Sequence, residues 1–575
     1  MRALDLKFFR QTWRLTRDYW YSDEKWHARG LLAVIVALNL GYVYILVLLN
    51  EWYNVFYNAL QNYDWDGFWH ALGEFAVLAT IFILIAVYQL YLQLLLEVRW
   101  RRWLTEQYLD KWLARRTYYL MQLYNGNATD NPDQRISEDL QMFTNMTLSL
   151  SLGLLRAAAT LGSFIAILWR LSGTLTLPLG SYQLVIPGYL VWAALAYAIV
   201  GTWLTVKVGR PLVGLNYDQQ RFEADFRFSL VRLRENSESI ALYGGEKQER
   251  RNFMARFQNV FANFRRLMVR QKYLTYFTSG YFQIAIIFPF LVAAPRYFSN
   301  EIKLGGLIQI SSAFGRVQES LSFFVDSYPQ LARWRAVVER LNGFEQHMAE
   351  VQVQVKKHAG IFVKPQPERA FSVKELQVAL PQGDFLLQPI NLKLNPGESL
   401  LIAGPSGCGK STLMRAFAGL WPFGKGQINV PQGERVMFLP QRSYMPLGTL
   451  REVLLYPRPP QGITDDIIKQ TMVLCKLEHL QDDLDRVDDW ARILSLGEQQ
   501  RIAFVRVLLQ RPRWLFLDEA TSAVDEPTER HLYTLLRERL PDCTVVSVGH
   551  RSTLHSFHTF KLSIALGGTW RMFRI

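Results

Sequence analysis

Cysteine is scarce in this sequence of 575 residues, which contains three, at positions 408, 475 and 543. Their number is odd, and their spacing does not match that of metal ligands. These thiols therefore exclude a disulfide framework and favour a reducing compartment. We also expect no cleavable signal peptide, because the first long apolar run is too long for the core of one.

Basic charge is missing from two loops. Residues 51–74 carry acidic side chains but no lysine or arginine, and residues 172–183 carry no charge, whereas residues 97–147 and 207–275 are rich in basic residues, mostly arginine. Because cytoplasmic loops collect basic residues, we expect the first two loops outside, the last two inside and both termini in the cytoplasm. The formal net charge of +14 could instead indicate nucleic acid. We find no motif for it and predict no nucleic-acid partner.

The N-terminal half contains apolar runs of a length that suits a membrane span. They are Leu31–Leu49, Phe75–Leu96, Leu148–Leu171, Leu184–Val206, Tyr276–Ala294 and the weaker Leu304–Val325. Residues 1–30 alternate basic with aromatic side chains, which is typical of an amphipathic segment lying on membrane lipid. The sequence therefore predicts an all-α membrane domain with six spans over residues 31–341.

The two basic stretches have apolar positions at helical spacing and few glycines or prolines within their runs. We predict that they are helical extensions of the spans into the cytosol, and two plain soluble loops are the alternative. Ionisable residues within spans usually face a bundle interior or a water-filled path. Arg156, Arg316 and Glu319 either line such a path or, for the last two, lie in a cytoplasmic end of the sixth span. Arg316 and Glu319 are three residues apart and are predicted to pair.

Residues 342–370 are polar and contain two prolines, which is typical of a linker. From residue 371 to residue 575, strand-like runs alternate with helical patterns, which predicts an α/β domain with a mostly parallel sheet. The predicted strands are Phe371–Leu380, Phe385–Leu394, Ser399–Ala403, Arg435–Leu439, Trp514–Leu517 and Thr544–Val548.

One glycine-rich stretch fits the phosphate-binding pattern G-x-x-x-x-G-K-[ST]. Its residues are Gly404, Pro405, Ser406, Gly407, Cys408, Gly409, Lys410, Ser411 and Thr412. An apolar strand precedes this P-loop, and a helical pattern over Leu413–Leu420 follows it. The glycines let backbone N–H groups turn toward phosphate oxygens, Lys410 reaches the β- and γ-phosphates, and Ser411 ligates Mg²⁺. The expected ligands are therefore ATP and Mg²⁺.

The apolar strand Trp514–Leu517 ends in two acids, Asp518 and Glu519. Asp518 is placed to hold Mg²⁺, and Glu519 is placed to polarise the attacking water. His550 follows the next predicted strand, from which its side chain can reach the γ-phosphate. A lone histidine is usually incidental, and the position of His550 is what favours a functional role.

The order of these motifs resembles that of ABC-transporter nucleotide-binding domains. In chain order they are the P-loop, Gln441, Leu494–Arg501, Asp518, Glu519 and His550. The resemblance implies a head-to-tail dimer, in which Ser495, Gly497 and Glu498 of one copy close over ATP at the P-loop of the other. It also implies that Ser495 and Gly497 donate to the γ-phosphate, and that Gln441 contacts Mg²⁺ and water.

Three positions depart from the usual pattern of that family. Leu496 stands where glycine is usual and Glu498 where glutamine is usual, and both are similar to the peroxisomal subfamily-D transporters. Leu380 stands where an aromatic side chain usually stacks on adenine. We expect weak selectivity between ATP and GTP unless Phe371 or Phe385 stacks on the base.

Three motifs of the membrane half are similar to SbmA/BacA-type peptide-uptake permeases and to subfamily-D transporters of acyl-CoA or cobalamin. They are Asn54–Asn62, Asn131–Ile136 and Glu238–Gly245. The resemblance implies a type I exporter-like membrane domain fused to its own ATPase domain, in a half-transporter that works as a homodimer in the bacterial inner membrane. It implies that the Glu238 stretch lies in a cytoplasmic helix that couples the two halves.

The resemblance favours ATP-driven uptake of a peptide-like or cobalamin-like hydrophilic solute. Export of a lipid, an acyl-CoA or a nonribosomal peptide is the alternative. A nucleotide-gated channel or a regulatory membrane ATPase is an alternative of another class. Glu519 and an intact signature favour ATP turnover over gating alone.

Overall fold

The computed structural model describes residues 6–125, 131–179, 182–358, 360–457 and 462–575. The chain divides into two compact units, Met1–Tyr118 with Ala128–Met348, and Tyr119–Asn127 with Ala349–Ile575. The first unit is mainly helical and the second combines sheets with helices, so the predicted fold class is confirmed. Residues 1–5 of the predicted amphipathic segment lie outside the described residues.

The N-terminal half is built from eleven α-helices within the described residues. They are α1 (Leu6–Trp20), α2 (Lys25–Gln61), α3 (Trp65–Leu113), α4 (Thr117–Asn125), α5 (Pro132–Gln134), α6 (Leu140–Ser172), α7 (Tyr189–Glu235), α8 (Ser237–Tyr243), α9 (Glu246–Phe298), α10 (Leu304–Asp326) and α11 (Tyr328–His358). Helices α3, α7 and α9 have 49, 47 and 53 residues. At ~1.5 Å per residue they are more than twice as long as the ~30 Å apolar core of a bilayer.

Five helices among the described residues are long and apolar enough to cross a membrane; they contain the first, second, third and fifth predicted spans and most of the fourth. The sixth predicted span is α10, which is less apolar but packs against α2, α6, α7 and α9. Its polar side chains Gln309, Gln318 and Ser320 are buried. A helix inside a bundle contacts protein on most sides, so it tolerates polar residues that lipid would not. Arg316 Nη1 lies 2.9 Å from Glu319 Oε2, as their spacing predicts.

The Asn54–Asn62 motif joins α10 to α2. Asn54 Nδ2 donates to Gln309 Oε1 at 2.7 Å, and Asn58 Oδ1 accepts from the backbone N–H of Gly305 at 3.0 Å. Unmade hydrogen bonds are costly in a bilayer, where water cannot replace them. These amides therefore fix the register of α10 on α2.

The Asn131–Ile136 motif leads into a π-helical turn over Arg135–Asp139. Asp139 is 1% exposed and accepts hydrogen bonds from Arg135 and, at 2.9 and 2.5 Å, from Arg340 of α11. A buried carboxylate is strongly destabilising without such partners. The Asp139–Arg340 pair therefore connects α11 to the turn that precedes α6.

Two stretches differ from the sequence prediction. The fourth span is predicted to begin at Leu184, whereas an antiparallel hairpin of β1 (Thr174–Leu179) and β2 (Tyr182–Pro187) precedes α7. A short apolar strand and the start of an apolar helix have the same composition, so sequence does not separate them.

The predicted linker, residues 342–370, contains the last turns of α11 and a strand. Leu341, Phe344, Met348 and Val351 are buried at helical spacing, which gives α11 a narrow apolar stripe among polar residues. That stripe extends the helix well past the predicted start of the linker.

The second unit has two main sheets. Its strands are β3 (Ile361–Gln366), β4 (Phe371–Val378), β5 (Ile390–Leu394), β6 (Ser399–Ala403), β7 (Gly424–Pro431), β8 (Val436–Leu439), β9 (Gly448–Thr449), β10 (Val487–Asp488), β11 (Trp514–Asp518), β12 (Thr544–Val548), β13 (Phe560–Ile564) and β14 (Trp570–Arg574). Its helices are α12 (Lys410–Phe417), α13 (Leu450–Leu455), α14 (Asp465–Leu474), α15 (Trp490–Ile493), α16 (Leu496–Gln510) and α17 (Glu526–Arg539).

The larger sheet has the order β14-β13-β6-β12-β11-β8 and is parallel except for β14. The smaller sheet has the order β3-β7-β4-β5. Each of the six predicted strands is present at least in part, whereas β3, β7, β13 and β14 were not predicted. Ligands of parallel sheets bind at the carboxyl ends of the strands. The loops after β6, β8, β11 and β12 therefore define the edge at which a site is expected.

We predict that Gly305→Ala destabilises the helical unit. A Cβ there would lie 2.1 Å from the Asn54 carbonyl oxygen, so α10 would have to move away from α2. Overpacking of this kind costs about 1–3 kcal/mol. Thermal unfolding of the purified protein in detergent should show a lower Tm.

The matched control is Gly306→Ala, whose Cβ would meet only Ile302 Cβ, at the ordinary distance of 3.6 Å. Equal Tm values for the two variants would contradict the close approach of α10 to α2.

We predict that His558 makes the stability of the second unit depend on pH. Burial lowers its pKa from 6.5 to about 4, because the charged imidazole is poorly solvated there. The unfolded chain then binds more protons between these values, so stability is lost as pH falls from about 6.5 to about 4. The loss attributable to His558 is on the order of 3 kcal/mol.

The measurement compares the Tm of the wild type and of His558→Gln at several pH values. Other titrating groups are common to both proteins, so the wild type should lose more Tm on acidification. Parallel Tm profiles would contradict the assignment.

Candidate functional site

The P-loop turns sharply between β6 and α12, and its glycines are required by geometry. A Cβ at Gly404 would lie 2.3 Å from the carbonyl oxygen of Ile564, while Gly407 and Gly409 have φ angles of 81° and 96°. Such angles strain any residue with a Cβ. Helix α12 begins directly after this turn, so the backbone N–H groups of its first residues lie next to the loop.

The side chains of the P-loop divide between rim and interior. Pro405, Ser406 and Gly407 are exposed, whereas Cys408 is 6% exposed and is a free thiol. Lys410 is buried and its Nζ donates to the carbonyl oxygens of Gly404 and Pro405, at 2.9 and 2.8 Å. The ammonium group thus lies within its own loop. Helix α12 begins at Lys410, three residues before the predicted start, and it includes Ser411 and Thr412.

Ser411, in the helix that follows β6, contacts Asp518 at the end of β11, and strand β12 lies between these two strands. Ser411 Oγ donates to Asp518 Oδ1 at 3.2 Å. The pKa of Asp518 is raised above its ordinary value, mainly because the carboxyl is buried. The hydrogen bond from Ser411 lowers this pKa, and the negative charge of Glu519 raises it.

These two oxygen donors suit a Mg²⁺ ion that is completed by phosphate and water. Among the described residues, no group of three or more His, Cys, Asp or Glu side chains could hold a metal alone.

Glu519 is the point at which the loops after three strands meet. Gln441 Nε2 donates to Glu519 Oε2 at 3.0 Å, and His550 Nε2 lies 3.2 Å from Glu519 Oε1. Glu519 has a φ angle of 49°, which is rare for a residue with a Cβ and is characteristic of strained functional positions. All three side chains named in the sequence analysis are therefore close together.

Gln500 is a residue of this site that the sequence analysis did not assign. It lies in α16, is 4% exposed, and its Nε2 donates to Ser522 Oγ at 3.1 Å and to the carbonyl oxygen of Gln441 at 3.3 Å. Its Oε1 accepts from the backbone N–H of Ala523 at 2.9 Å. Gln500 thus joins the loops that carry Gln441 and Glu519. Its place inside the Leu494–Arg501 motif is the only signal that sequence offers.

Ser495, Gly497 and Glu498 lie at the start of α16. Ser495 is the N-cap, and its hydroxyl accepts from the Glu498 backbone N–H while Glu498 accepts from the Ser495 N–H in return, which is a capping box. A Cβ on Gly497 would lie 3.1 Å from the carbonyl oxygen of Ala523. In the described part of the chain, no recorded hydrogen bond joins these residues to the P-loop.

The structure separates the two candidate partners for adenine. Phe371 is 1% exposed and packs in the core against Phe417 and Phe516, so its proposed role is wrong. Phe385 is 51% exposed, and the next residue, Leu386, would meet a Cβ on Gly409 of the P-loop at 3.6 Å. Only Phe385 is placed beside the site.

Two family models match most of the chain. Residues 15–298 match the model for ABC transporter transmembrane region 2, and residues 387–522 match the model for ABC transporter.

Relatives align over nearly the whole chain. The chain is 36% identical to the inner membrane ABC transporter ATP-binding protein YddA of Escherichia coli, covering 93% of this chain and 94% of the relative. It is 35% identical to ABC transporter D family member 2, chloroplastic, of Arabidopsis thaliana, covering 98% and 87%. It is 28% identical to the lysosomal cobalamin transporter ABCD4 of Mus musculus, covering 100% and 97%.

The fold also matches a solved structure, that of a bacterial Atm1-family ABC exporter with ATP bound. The TM-score is 0.65 at 18% identity, and the match covers 95% of each chain.

We predict that Gln500→Leu lowers ATP hydrolysis about tenfold while the chain still folds. The leucine keeps the volume but removes the hydrogen bonds that hold the loops of Gln441 and Ser522, each worth about 0.5–1.5 kcal/mol. Phosphate release by the purified protein measures the effect.

Gln510→Leu is the matched control, since this residue lies at the other end of α16 and donates to the Leu455 carbonyl oxygen at 3.3 Å. Equal hydrolysis rates in the two variants would argue against a role of Gln500 in the site.

Proposed function

Because this chain belongs to the ABC transporter family, as a half-transporter of the subfamily-D type, we propose that two copies form one ATP-driven transporter. The chain binds ATP, and its hydrolysis of ATP is coupled to transport. The observation that carries the proposal is the convergence of Gln441 and His550 on Glu519, together with a P-loop whose lysine is held by the loop's own carbonyl oxygens.

ATP binds the P-loop in the proposed cycle, with Lys410 leaving its loop carbonyls to reach the β- and γ-phosphates. Ser411 and Asp518, with Gln441 beside them, would hold Mg²⁺, which would supply positive charge to the phosphate oxygens. Glu519 polarises the water, and His550 contacts the γ-phosphate. In this proposal the protein lowers the barrier by positioning and by electrostatic stabilisation.

The second copy supplies Ser495, Gly497 and Glu498 to this site. Ser495 and Gly497 lie at a helix N-terminus, where amides and the helix dipole attract phosphate. Within the described residues of one copy, no hydrogen bond joins Ser495, Gly497 or Glu498 to the P-loop. This supports a site that the second copy completes. ATP favours the closed dimer because it binds that state better than the open one.

Two short helices at the ends of the long ones are proposed to transmit closure. Leu123 and Tyr124 of α4 pack against the sheet core of the second unit, where the Tyr124 ring lies 5.0 Å from that of Phe423. In α8 the apolar pair Leu242 and Tyr243 is 81% and 88% exposed. We propose that α8, within the Glu238 motif, docks on the ATPase unit of the second copy.

Phe385 is proposed to stack on adenine in place of Leu380. Its exposed ring next to the P-loop supports this role, and stacking of aromatic rings contributes about 0.5–1.5 kcal/mol. A single stacking contact reads no hydrogen-bonding edge of the base, so we expect weak discrimination between ATP and GTP.

The cargo is proposed to be a hydrophilic solute of the peptide or cobalamin type, taken up across a bacterial inner membrane. The similarity to a lysosomal cobalamin transporter supports this class of cargo. The similarity to an inner membrane ABC transporter protein of Escherichia coli supports a location in the inner membrane. Export is the second candidate, and the exporter fold of the matched structure favours it. The basic loops support cytoplasmic termini.

We predict that Glu519→Gln binds ATP but hydrolyses it at least about a hundredfold more slowly, the usual effect of losing a general base. Purified protein in vesicles should hydrolyse ATP faster with the right cargo. Labelled peptide and labelled cobalamin are supplied on either side, and accumulation is followed with ATP on the ATPase side.

The Glu519→Gln protein is the control for passive leakage, because it should bind both ligands without moving cargo. Movement toward the ATPase side supports uptake, and movement away from it supports export. Cargo flow that persists in this variant only when ATP is present would support a nucleotide-gated channel instead, whereas flow without ATP is leakage.

A further inference from the structure

The carboxylate of Glu498 is bound on both of its oxygens. Oε2 accepts from the backbone N–H of Ser495 at 2.9 Å and from its hydroxyl at 2.7 Å. Oε1 lies 2.8 Å from Nε2 of His479. Burial would raise the pKa of Glu498, but hydrogen bonds from Ser495 and His479 outweigh it and lower the pKa. Glu498 is therefore an anion at neutral pH.

His479 is held over the start of α16 by its neighbours. It lies in a 3-10 turn, Glu478–Asp483, flanked by Leu477, Leu480 and Leu484, which are all buried in the core. The His479 side chain itself is 52% exposed, while that of Glu498 is 20% exposed. The turn is thus anchored, and the imidazole extends from it toward the carboxylate.

An anion at this place opposes the role proposed for Ser495. The γ-phosphate of the second copy would approach the same helix N-terminus, and it needs the Ser495 hydroxyl as a donor. Glu498 already takes that proton, and its charge repels a polyphosphate. Glutamine, which is usual here in the family, would accept the same hydrogen bond without the charge.

We propose that His479 is a positioning residue for the ATP site formed with a second copy. Its imidazole donates a hydrogen bond to Glu498 Oε1 and so holds the carboxylate, which lets Ser495 turn its hydroxyl from Oε2 to the γ-phosphate. This role rests on the proposed two-copy site. It requires a hydrogen-bond donor at residue 479 only when residue 498 is an anion.

A double-mutant cycle on the full-length protein tests this role. His479→Ala, Glu498→Gln and the double variant are compared for the ATP concentration that half-saturates hydrolysis and for the maximal rate. We expect His479→Ala to raise the half-saturating concentration about threefold, the size that the loss of one partly exposed hydrogen bond supports. The maximal rate should change little. In the Glu498→Gln background the same substitution should have no effect.

Further variants test the hydrogen bond. His479→Gln and His479→Arg keep an N–H donor and should half-saturate near the wild-type value, whereas His479→Phe has no donor and should behave like the alanine variant. His555→Ala is the control, because this histidine bonds Lys561 Nζ at 3.1 Å in the same unit. It should leave half-saturation unchanged.

Equal effects of His479→Ala in both backgrounds, or full activity of His479→Phe, would overturn the role of His479. If Ser495→Ala left hydrolysis unchanged, the two-copy site itself would fail, and this role with it. Normal sensitivity to Ser495→Ala with a flat cycle would remove His479 alone.

Discussion

The parallel order of five strands in the larger sheet is the constraint on which the site depends. Because β13, β6, β12, β11 and β8 all run the same way, their following loops emerge at one edge. The P-loop follows β6, and the loops of Glu519, His550 and Gln441 follow β11, β12 and β8. Residues more than a hundred positions apart thus come within 3.2 Å, as Ser411 and Asp518 do.

The helical unit meets a different constraint, since its polar groups must find partners inside the bundle. Arg156 donates to Gln89 Oε1 at 2.9 Å, and its guanidinium lies 4.5 Å from the ring centre of Tyr42. It therefore bridges three helices. The Arg316–Glu319 pair is more exposed, with 38% and 72% of the two side chains accessible. In α10, buried side-chain amides stand where apolar residues are usual. The packing of this helix against its neighbours therefore identifies it as part of the bundle more clearly than its composition does.

The positions at which the sequence departs from the usual ABC pattern have different structural consequences. Leu380 is 37% exposed, and Phe385, which is 51% exposed, is the residue proposed to stack on adenine in its place. Glu498 keeps the capping-box geometry that starts α16, so the local fold tolerates the substitution. What changes is the charge beside Ser495, and His479 is the partner that the tertiary structure brings to it.

The sequence alone determined the features that depend on local spacing. These are the P-loop and its flanking strand, the acids at the end of β11, five apolar helices, and the family resemblance that the relatives confirm. Only the tertiary structure decided the burial of Phe371, the exposure of Phe385, the bridging by Gln500 and the contact of His479 with Glu498. Each of these depends on which distant segments meet. Local periodicity records the direction in which a side chain points but not what it will face.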